Sequence, residues 1–391
     1  MNQAAPQALP RTSPRSSRPR ADYDPWLAGC FVLLLALGLV MVASASVTIA
    51  DRDHHDPFYF LWRQMVAAMI GLSCCFLAVR TPLATLERLG ALSLLMALAL
   101  LIAVLVPGVG RVVNGSMRWI RLGPVSFQAS EPAKLFVIIY LASYLVRHEH
   151  KVRSTFAGMM KPFLVLTLIG GLLLLEPDYG VTAVLFATAL GMLFLGGVPL
   201  TRFVGWGAVA VTALVALAML APYRLERLMT FMDPWADPYD RGFQLTQALI
   251  AIGRGEWWGV GLGGSIQKLF YLPEAHTDFI FAVLAEELGL IGSLVVIAAY
   301  TLVVWRAVVI GGQAQRAGQP FAEHLAYGIG MLIGLQAFIN MGVNMGVLPT
   351  KGLTLPLVSY GGNSMMVTCA AFGILFRAER EARVRRDDYG R

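Results

Sequence analysis

The chain has 391 residues, of which 57% are hydrophobic and only 14% charged, with a mean hydropathy of +0.64. Soluble domains carry about 25% charged residues, so this composition excludes a soluble fold and predicts an all-α polytopic membrane protein. The net charge of +7 would suit a nucleic-acid binder, but the arginines gather at the ends of apolar runs. That is the mark of membrane topology, and no nucleic-acid partner is expected.

Residues 1–25 are rich in Pro, Ser and Arg and predict a disordered basic tail. The first apolar run, Trp26 to Thr48, contains Ala43-Ser44-Ala45, which resembles a signal-peptidase site. The run is longer than a signal h-region, so it predicts a retained anchor. Further runs of spanning length follow at about 58–79, 85–106, 131–147, 162–176, 179–197, 201–220, 277–305, 322–348 and 357–377. With the first they make ten transmembrane helices over 26–377, and an even number leaves both tails on one side. Glu176-Pro177-Asp178-Tyr179-Gly180 breaks the long stretch 162–197 into a hairpin. Residues 378–391 form a second basic tail.

The tails' side also collects Arg80, Arg88, Arg147, Lys151, Arg153, Lys161, Arg202, Arg306 and Arg316, so both tails are expected in the cytoplasm. Two long loops, at about 107–130 and 221–276, then lie outside, the second between helices seven and eight. Within that second loop, Phe231 to Tyr239 is rich in aromatic and turn residues, as an interfacial segment should be. Leu245, Ala248, Leu249 and Ile252 follow at helical spacing and predict a short amphipathic helix on the bilayer. The four cysteines (Cys30, Cys74, Cys75, Cys369) all fall in apolar runs, with no disulfide or metal spacing, and read as small buried hydrophobes.

The chemistry concentrates in Tyr271 to Gly289, YLPEAHTDFIFAVLAEELG. Glu274, His276 and Asp278 precede an apolar run, and Glu286 and Glu287 lie further along it. A charge facing lipid costs about 2.5–3.5 kcal/mol on insertion scales, so such residues face protein or a wet cavity. On one continuous helix, Asp278 and Glu286 would lie about 12 Å apart along the axis and about 80° around it. The bland alternative makes Asp278 a helix N-cap and the two glutamates buried ion-pair partners.

Depth is the more informative pattern. Arg63, Glu131, Lys134, Asp178, Asp278, Asn340, Asn344, Asn363 and Ser364 all fall toward outer helix ends, and the inner halves hold almost no charge. A transporter needs a polar route through both leaflets. A cavity open only to the outside favours chemistry at the outer leaflet, where no ATP is available. Gly259 to Gly264 spells G-x-G-x-x-G, but no βαβ unit surrounds it, so it reads as a flexible loop or a close backbone approach to a substrate. Asp51 to Asp56 (DRDHHD) could hold a metal, although a solvated loop is the simpler reading. Arg111, Arg118, Arg121, Lys134, Arg254, Lys268 and Lys351 lie outside or at the outer rim. Together with a buried carboxylate they suit a lipid-linked diphosphate, its tail in the bilayer and its head in the cavity.

At these residues the chain resembles the SEDS family (shape, elongation, division and sporulation) of peptidoglycan glycosyltransferases. The matching wording is Asn114-Gly115-Ser116 with Arg118-Trp119, Ser130-Glu131-Pro132-Ala133-Lys134, Pro177-Asp178-x-Gly180, and Trp258-Gly259 with Gly261-x-Gly263. It continues with Pro273 to Ala282, Glu286-Glu287-x-Gly289, Pro349-x-Lys351-Gly352, Leu355-Pro356 and Ser359-Tyr360-Gly361-Gly362. The basic N-terminal tail and the PEAHTDFIFA wording lean toward the cell-division branch. Two departures stand out: Glu176 where the family usually has glutamine, and Asn363 where it usually has serine.

The resemblance implies an enzyme of the bacterial cytoplasmic membrane that polymerises lipid II at the division septum. It implies a class B penicillin-binding protein and divisome activators as partners. It assigns the catalytic role to Asp278, as general base in an inverting transfer. Arg118, Glu131, Lys134, Asp178, His276, Glu286, Lys351 and Ser359 are the candidate residues for binding lipid II and its diphosphate. No cofactor is required, and a divalent cation (Mg or Mn) is compatible with the chemistry. The competing classes are a flippase for lipid-linked precursors and a structural scaffold.

Overall fold

A computed structural model of the chain describes residues 23–113, 116–122, 125–201, 203–205, 207–209, 212, 231–240 and 242–389. The N-terminal tail, most of the expected seventh span (201–220) and the start of the loop after it lie outside the described residues. The helices are α1 (Pro25–His54), α2 (Tyr59–Arg80), α3 (Leu83–Arg88), α4 (Gly90–Leu105), α5 (Ser130–Arg147) and α6 (Glu149–Ser154). They continue with α7 (Phe156–Leu175), α8 (Tyr179–Leu195), α9 (Phe243–Gly255), α10 (Ile280–Arg316), α11 (Pro320–Asn344) and α12 (Gly362–Tyr389). Among the described residues, five helices are long and apolar enough to cross a membrane: α1, α2, α7 from Gly158, α10 and α11. The chain is therefore a mostly helical, polytopic membrane protein.

Local chemistry explains the boundaries. Asp24 starts α1, its carboxylate accepting from the N–H groups of Trp26 (2.9 Å) and Leu27 (3.1 Å) ahead of Pro25 at the first helical position. The expected span 85–106 is divided at Leu89 into α3 and α4. The fifth span begins earlier than expected, at Phe156, because the Thr155 hydroxyl accepts from Gly158 N–H (3.2 Å) and Pro162 is tolerated inside. At the other end α12 runs on to Tyr389, through the segment expected to be a tail. Arg377–Glu381 and Arg383–Glu379 pairs at helical spacing line that extension. Its Glu379 accepts from Asp24 N–H (3.0 Å), and Arg306 of α10 pairs with the Asp24 carboxylate, so three helices are tied together at one end.

Between α4 and α5 lies a three-stranded antiparallel sheet, β1 (Gly110–Val113), β2 (Ser116–Leu122) and β3 (Val125–Gln128), in that order. Trp119 pairs with Gln128 and Arg121 with Ser126. Ile120 and Met117 pack with Val104, Leu100 and Ala103 at the end of α4. The remaining apolar core is one cluster around α11, which touches α5, α8, α10 and α12. The amphipathic helix expected in the long loop is α9, whose Leu245, Ala248 and Ala251 are buried against α10. The Asp51–Asp56 stretch forms the exposed end of α1 and the turn after it, where Arg52 pairs with Asp53 and His54 stacks on Tyr59.

The helix α10 is broken at Gly289 (φ 66°, ψ −164°), and the break explains Gly259 in the glycine-rich run. Helical bonds from Leu290 and Ile291 back to Glu286 and Glu287 are lost there. The stretch 256–261 takes over all four groups. Val260 N–H donates to Glu286 O (2.9 Å) and Gly261 N–H to Glu287 O (3.1 Å), while Leu290 and Ile291 donate to Glu256 O (2.8 Å) and Trp257 O (3.3 Å). Gly259 (φ 79°) and Gly289 touch backbone to backbone, with no room for a Cβ on either. The loop expected to be flexible or substrate-facing is instead a structural splice in α10. Gly289→Ala combines positive-φ strain with overlap on Gly259, and is expected to destabilise the protein by about 1–3 kcal/mol. Thermal unfolding of the detergent-solubilised variant checks this, and an unchanged midpoint would refute the splice.

Candidate active site

The loop 271–279 delivers Asp278 to a cavity, and it is clamped by its own backbone carbonyls. His276 O accepts from Tyr360 N–H (2.9 Å) and Thr277 O from the Ser359 hydroxyl (2.6 Å). Asp278 O accepts from the side-chain amides of both Asn340 (2.9 Å) and Asn344 (3.0 Å) on α11. Three successive carbonyls held by α11 and the loop before α12 leave little freedom for the side chain between them. Gln64, buried on α2, secures the same loop by bonding Ser359 O (3.1 Å) and Gly361 N–H (3.2 Å).

Asp278 itself lies two residues before α10, so it shares no helix with Glu286, and Phe279 rather than Asp278 occupies the N-cap position. Its carboxylate accepts no hydrogen bond from any described residue, although it is only partly exposed. Gly352 approaches it closely: a Cβ there would sit 3.1 Å from Asp278 Oδ2. Burial first, and then the negative charge of Glu274, push the Asp278 carboxyl up to about 7. Arg118 opposes that shift and Asp178 adds to it.

The cavity holds about 1260 Å³. Its roof is the sheet, through Ser116, Arg118, Trp119, Ser126 and Gln128; its floor and far wall include Glu131, Lys351, Tyr360, Asn363 and Ser364. Arg118 donates to Glu176 O (3.3 Å) and Pro177 O (2.5 Å) and lies 3.8 Å from Asp178. Lys351 sits over the Tyr179 ring at 5.6 Å. His276 packs against Phe60 (4.7 Å) and Tyr360 (5.5 Å), and burial lowers its pKa, so it lines the site as a neutral ring.

Other candidates stand one layer back. Asp178 caps α8 through Val181 N–H (3.4 Å) and accepts from Ser130 (3.1 Å). Lys134 is wholly buried, bonded to Glu131 (2.9 Å) and Gln336 (2.8 Å). Ser359 positions the loop and does not line the cavity.

Glu286 lies elsewhere. Its carboxylate takes Arg254 (3.0 Å), Ser265 (2.5 Å) and the N–H groups of Ile266 (3.1 Å) and Gln267 (3.4 Å). Glu287 likewise takes Lys268 (2.8 Å) and Ser44 (2.7 Å). Both glutamates are ion-pair anchors for the segment 254–268, and Arg254 and Lys268 are committed to them, away from the cavity.

One wall was missed by sequence reasoning. Trp62, Val66 and Ile70 of α2 line the cavity yet remain 58%, 51% and 47% exposed on the outer face of the helix. Their spacing of four residues puts them in one stripe about 12 Å long, so the polar chamber opens sideways onto an apolar surface. The stripe is visible in the sequence, but nothing there distinguishes it from any lipid-facing stripe. Among the described residues no three His, Cys, Asp or Glu side chains converge as metal ligands. The described residues thus offer no metal site built from protein side chains alone.

The model of the FtsW/RodA/SpoVE cell cycle protein family matches residues 25–384. The chain belongs to that family. A probable peptidoglycan glycosyltransferase FtsW of Nitrosococcus halophilus is 58% identical over 360 residues, 92% of this chain and 93% of that protein. The FtsW of Legionella pneumophila, named in the same words, is 50% identical over 98% of this chain and 97% of its own. Among solved structures, a chain of a peptidoglycan synthase complex, described as coordinating polymerization and crosslinking, superposes with a TM-score of 0.75. It is 32% identical, over 92% of this chain and 98% of its own. The rod shape determining protein RodA of Thermus thermophilus superposes at 0.66 with 28% identity, over 92% and 97%.

Within this FtsW/RodA/SpoVE member, the departure at Glu176 has a simple chemistry. The side chain is fully buried at the α7–α8 turn and neither carboxylate oxygen has a partner. Burial first, then the charge of Asp178, push its carboxyl up to about 8, against the pull of Arg118. It is therefore protonated at neutral pH and nearly isosteric with glutamine. Since the unfolded chain ionises near 4.5, this residue costs nothing below that pH. The cost grows as pH rises toward 8 and is constant above it. Glu176→Gln is expected to stabilise the protein by an amount that is absent at about pH 4 and complete above about pH 8. Unfolding midpoints across that range check it; a pH-independent difference would be inconsistent with a buried neutral carboxyl.

Proposed function

We propose that this chain, a peptidoglycan glycosyltransferase, polymerises lipid II into glycan strands at the outer face of the cytoplasmic membrane, with Asp278 as general base. The observation that carries this reading is a clamped carboxylate without a hydrogen-bond donor, aimed into a cavity that also receives Arg118 and Lys351. In the transfer, the acceptor 4-hydroxyl attacks the donor's anomeric carbon as its proton passes to an Asp278 oxygen. The bond from that carbon to the lipid diphosphate breaks, and the leaving diphosphate takes the electron pair. An α-linked diphosphate becomes a β-glycosidic bond, so one displacement suffices. Arg118 and Lys351 stabilise the growing charge on the diphosphate. Glu131 and His276 complete the wall, while Asp178, Lys134 and Ser359 hold the groups that touch substrate. The stripe Trp62–Val66–Ile70 gives the polyprenyl chain a lateral exit to the bilayer. No resident cofactor is needed.

The reading includes ten spans, both termini in the cytoplasm, and the long loop between helices seven and eight outside. It extends to a class B penicillin-binding protein and divisome activators at the septum, supported by the likeness to a chain of a peptidoglycan synthase complex. A cytoplasm-only reporter should work at the C-terminus and near Arg153, and fail near Trp235. A signal near Trp235 would remove the outer-face chemistry. A flippase reading has less support. Beside the cavity Lys134 is buried and bonded to Glu131 and Gln336, and a hole next to that network holds only about 10 Å³.

The decisive test is Asp278→Asn, which keeps shape but removes the proton acceptor. Polymer formation from labelled lipid II should fall by about 10²–10⁴-fold, with membrane insertion and partner binding retained. For the wild type, a base with a pKa of about 7 is lost to protonation as pH falls, so the rate should drop below neutral pH. An Asn variant that polymerises at the wild-type rate, or a wild-type rate flat from pH 6 to 8, would exclude the base role.

A further inference from the structure

Glu274 stands on the same loop as Asp278 and is not explained by the chemistry above. Its backbone is in the left-handed region (φ 56°), which a glutamate rarely adopts. Its carbonyl closes the turn by accepting from the N–H groups of Thr277 (3.1 Å) and Phe279 (3.2 Å). Its carboxylate accepts from the Thr277 hydroxyl at 2.6 Å, so the charge is fixed to the turn that carries Asp278, and both carboxylates line the cavity. A solvated glutamate needs neither the strained backbone nor the tether.

We propose that Glu274 is a positioning residue that keeps Asp278 a competent base, by holding a second negative charge on the same turn. This rests on the reading of Asp278 as the base. A carboxylate that ionises near 4 is a poor proton acceptor for a sugar hydroxyl, and a like charge nearby makes it a better one. Burial and Glu274 are the two largest causes raising Asp278. The other groups facing it divide. Arg118 on β2 opposes the effect, whereas Asp178 at the head of α8 adds to it. Lys351 and Arg63 reach the cavity from the segment before α12 and from α2. Glu131 on α5 is paired with Lys134, and α11 presents the uncharged Asn340 and Asn344. Glu274, which no described cation pairs with, is thus the charge that acts most strongly in the direction catalysis needs.

The experiment is a pH–rate profile of lipid II polymerisation by the chain with its transpeptidase partner, for wild type, Glu274→Gln and Glu274→Asp. Glutamine keeps the turn and accepts from Thr277 but lacks the charge. Its acid limb should move down by about half to one pH unit, so its rate relative to wild type is about two- to fivefold higher at pH 6 than at pH 8. Aspartate keeps the charge and should restore the wild-type limb. Glu274 is exposed, so raising salt should also move the wild-type limb down. This arm needs no variant to fold. A limb that moves neither with Glu274→Gln nor with salt overturns the proposal, even if Asp278→Asn is inactive. A fully active Asp278→Asn overturns the base reading and this inference with it.

Discussion

A carboxylate taken out of water must find donors, a cation or a proton, and that requirement organises the cavity and its surroundings in this protein. Glu131 has Lys134, Glu286 has Arg254 and a ring of donors, and Glu287 has Lys268 and Ser44. Asp178 has Ser130 and the neighbouring Arg118. Glu176 meets the requirement by keeping its proton. Asp278 differs from these in lining the cavity, with its backbone gripped and its carboxylate left without a donor among the described residues. The ionised neighbours each have a donor or a cation and Glu176 keeps its proton, whereas Asp278 faces the cavity with neither a donor nor a cation from the described residues bonded to it.

Holding such a residue requires rigidity from groups other than its own side chain. The carbonyls of residues 276–278 supply the handles, and α11, the most enclosed of the candidate spans, supplies the amides. The same economy recurs at Gly289, where a break in α10 turns lost helical bonds into attachment points for the stretch 256–261. That splice carries Glu286 and Glu287 inward to anchor the loop, and leaves the first turns of α10 buried in protein rather than lipid. Irregular backbone at membrane depth is tolerated when protein satisfies it, as here.

Much of this was legible in the sequence. The hairpin at Glu176–Pro177 and the amphipathic α9 both follow from local pattern. So does the prominence of Asp278 at the start of an apolar run. Other features depended on contacts between distant residues. Glu286 and Asp278 look alike in the chain, because the partners that disarm Glu286 lie 19–32 residues away. The run Gly259–Gly264 read as a flexible loop or a close approach to a substrate, whereas its Gly259 marks a close approach to α10. The sheet escaped notice because its strands are short and sit in a loop whose composition favours turns. The extension of α12 was hidden by arginines that read as a tail until Glu379 and Glu381 supplied partners at helical spacing.

The two departures from family wording meet at that sheet. Arg118 on β2 is fastened to the carbonyls of Glu176 and Pro177, so the conformation of the α7–α8 turn sets where a cavity cation points. Asn363, at the head of α12, donates to Ser126 O (3.2 Å) on β3, a reach that a serine side chain is too short to make from the same position. One departure therefore sits behind the cationic edge of the roof and the other ties its opposite edge to α12. Gln128, bonded to Ser130 (3.2 Å), joins the sheet to the helix that carries Glu131. The roof is thus packed on the end of α4 through Ile120 and Met117 and tied to α5, α12 and the α7–α8 turn by side chains. Substitutions at these attachment points should shift Arg118 within the cavity while leaving the clamp on Asp278 in place.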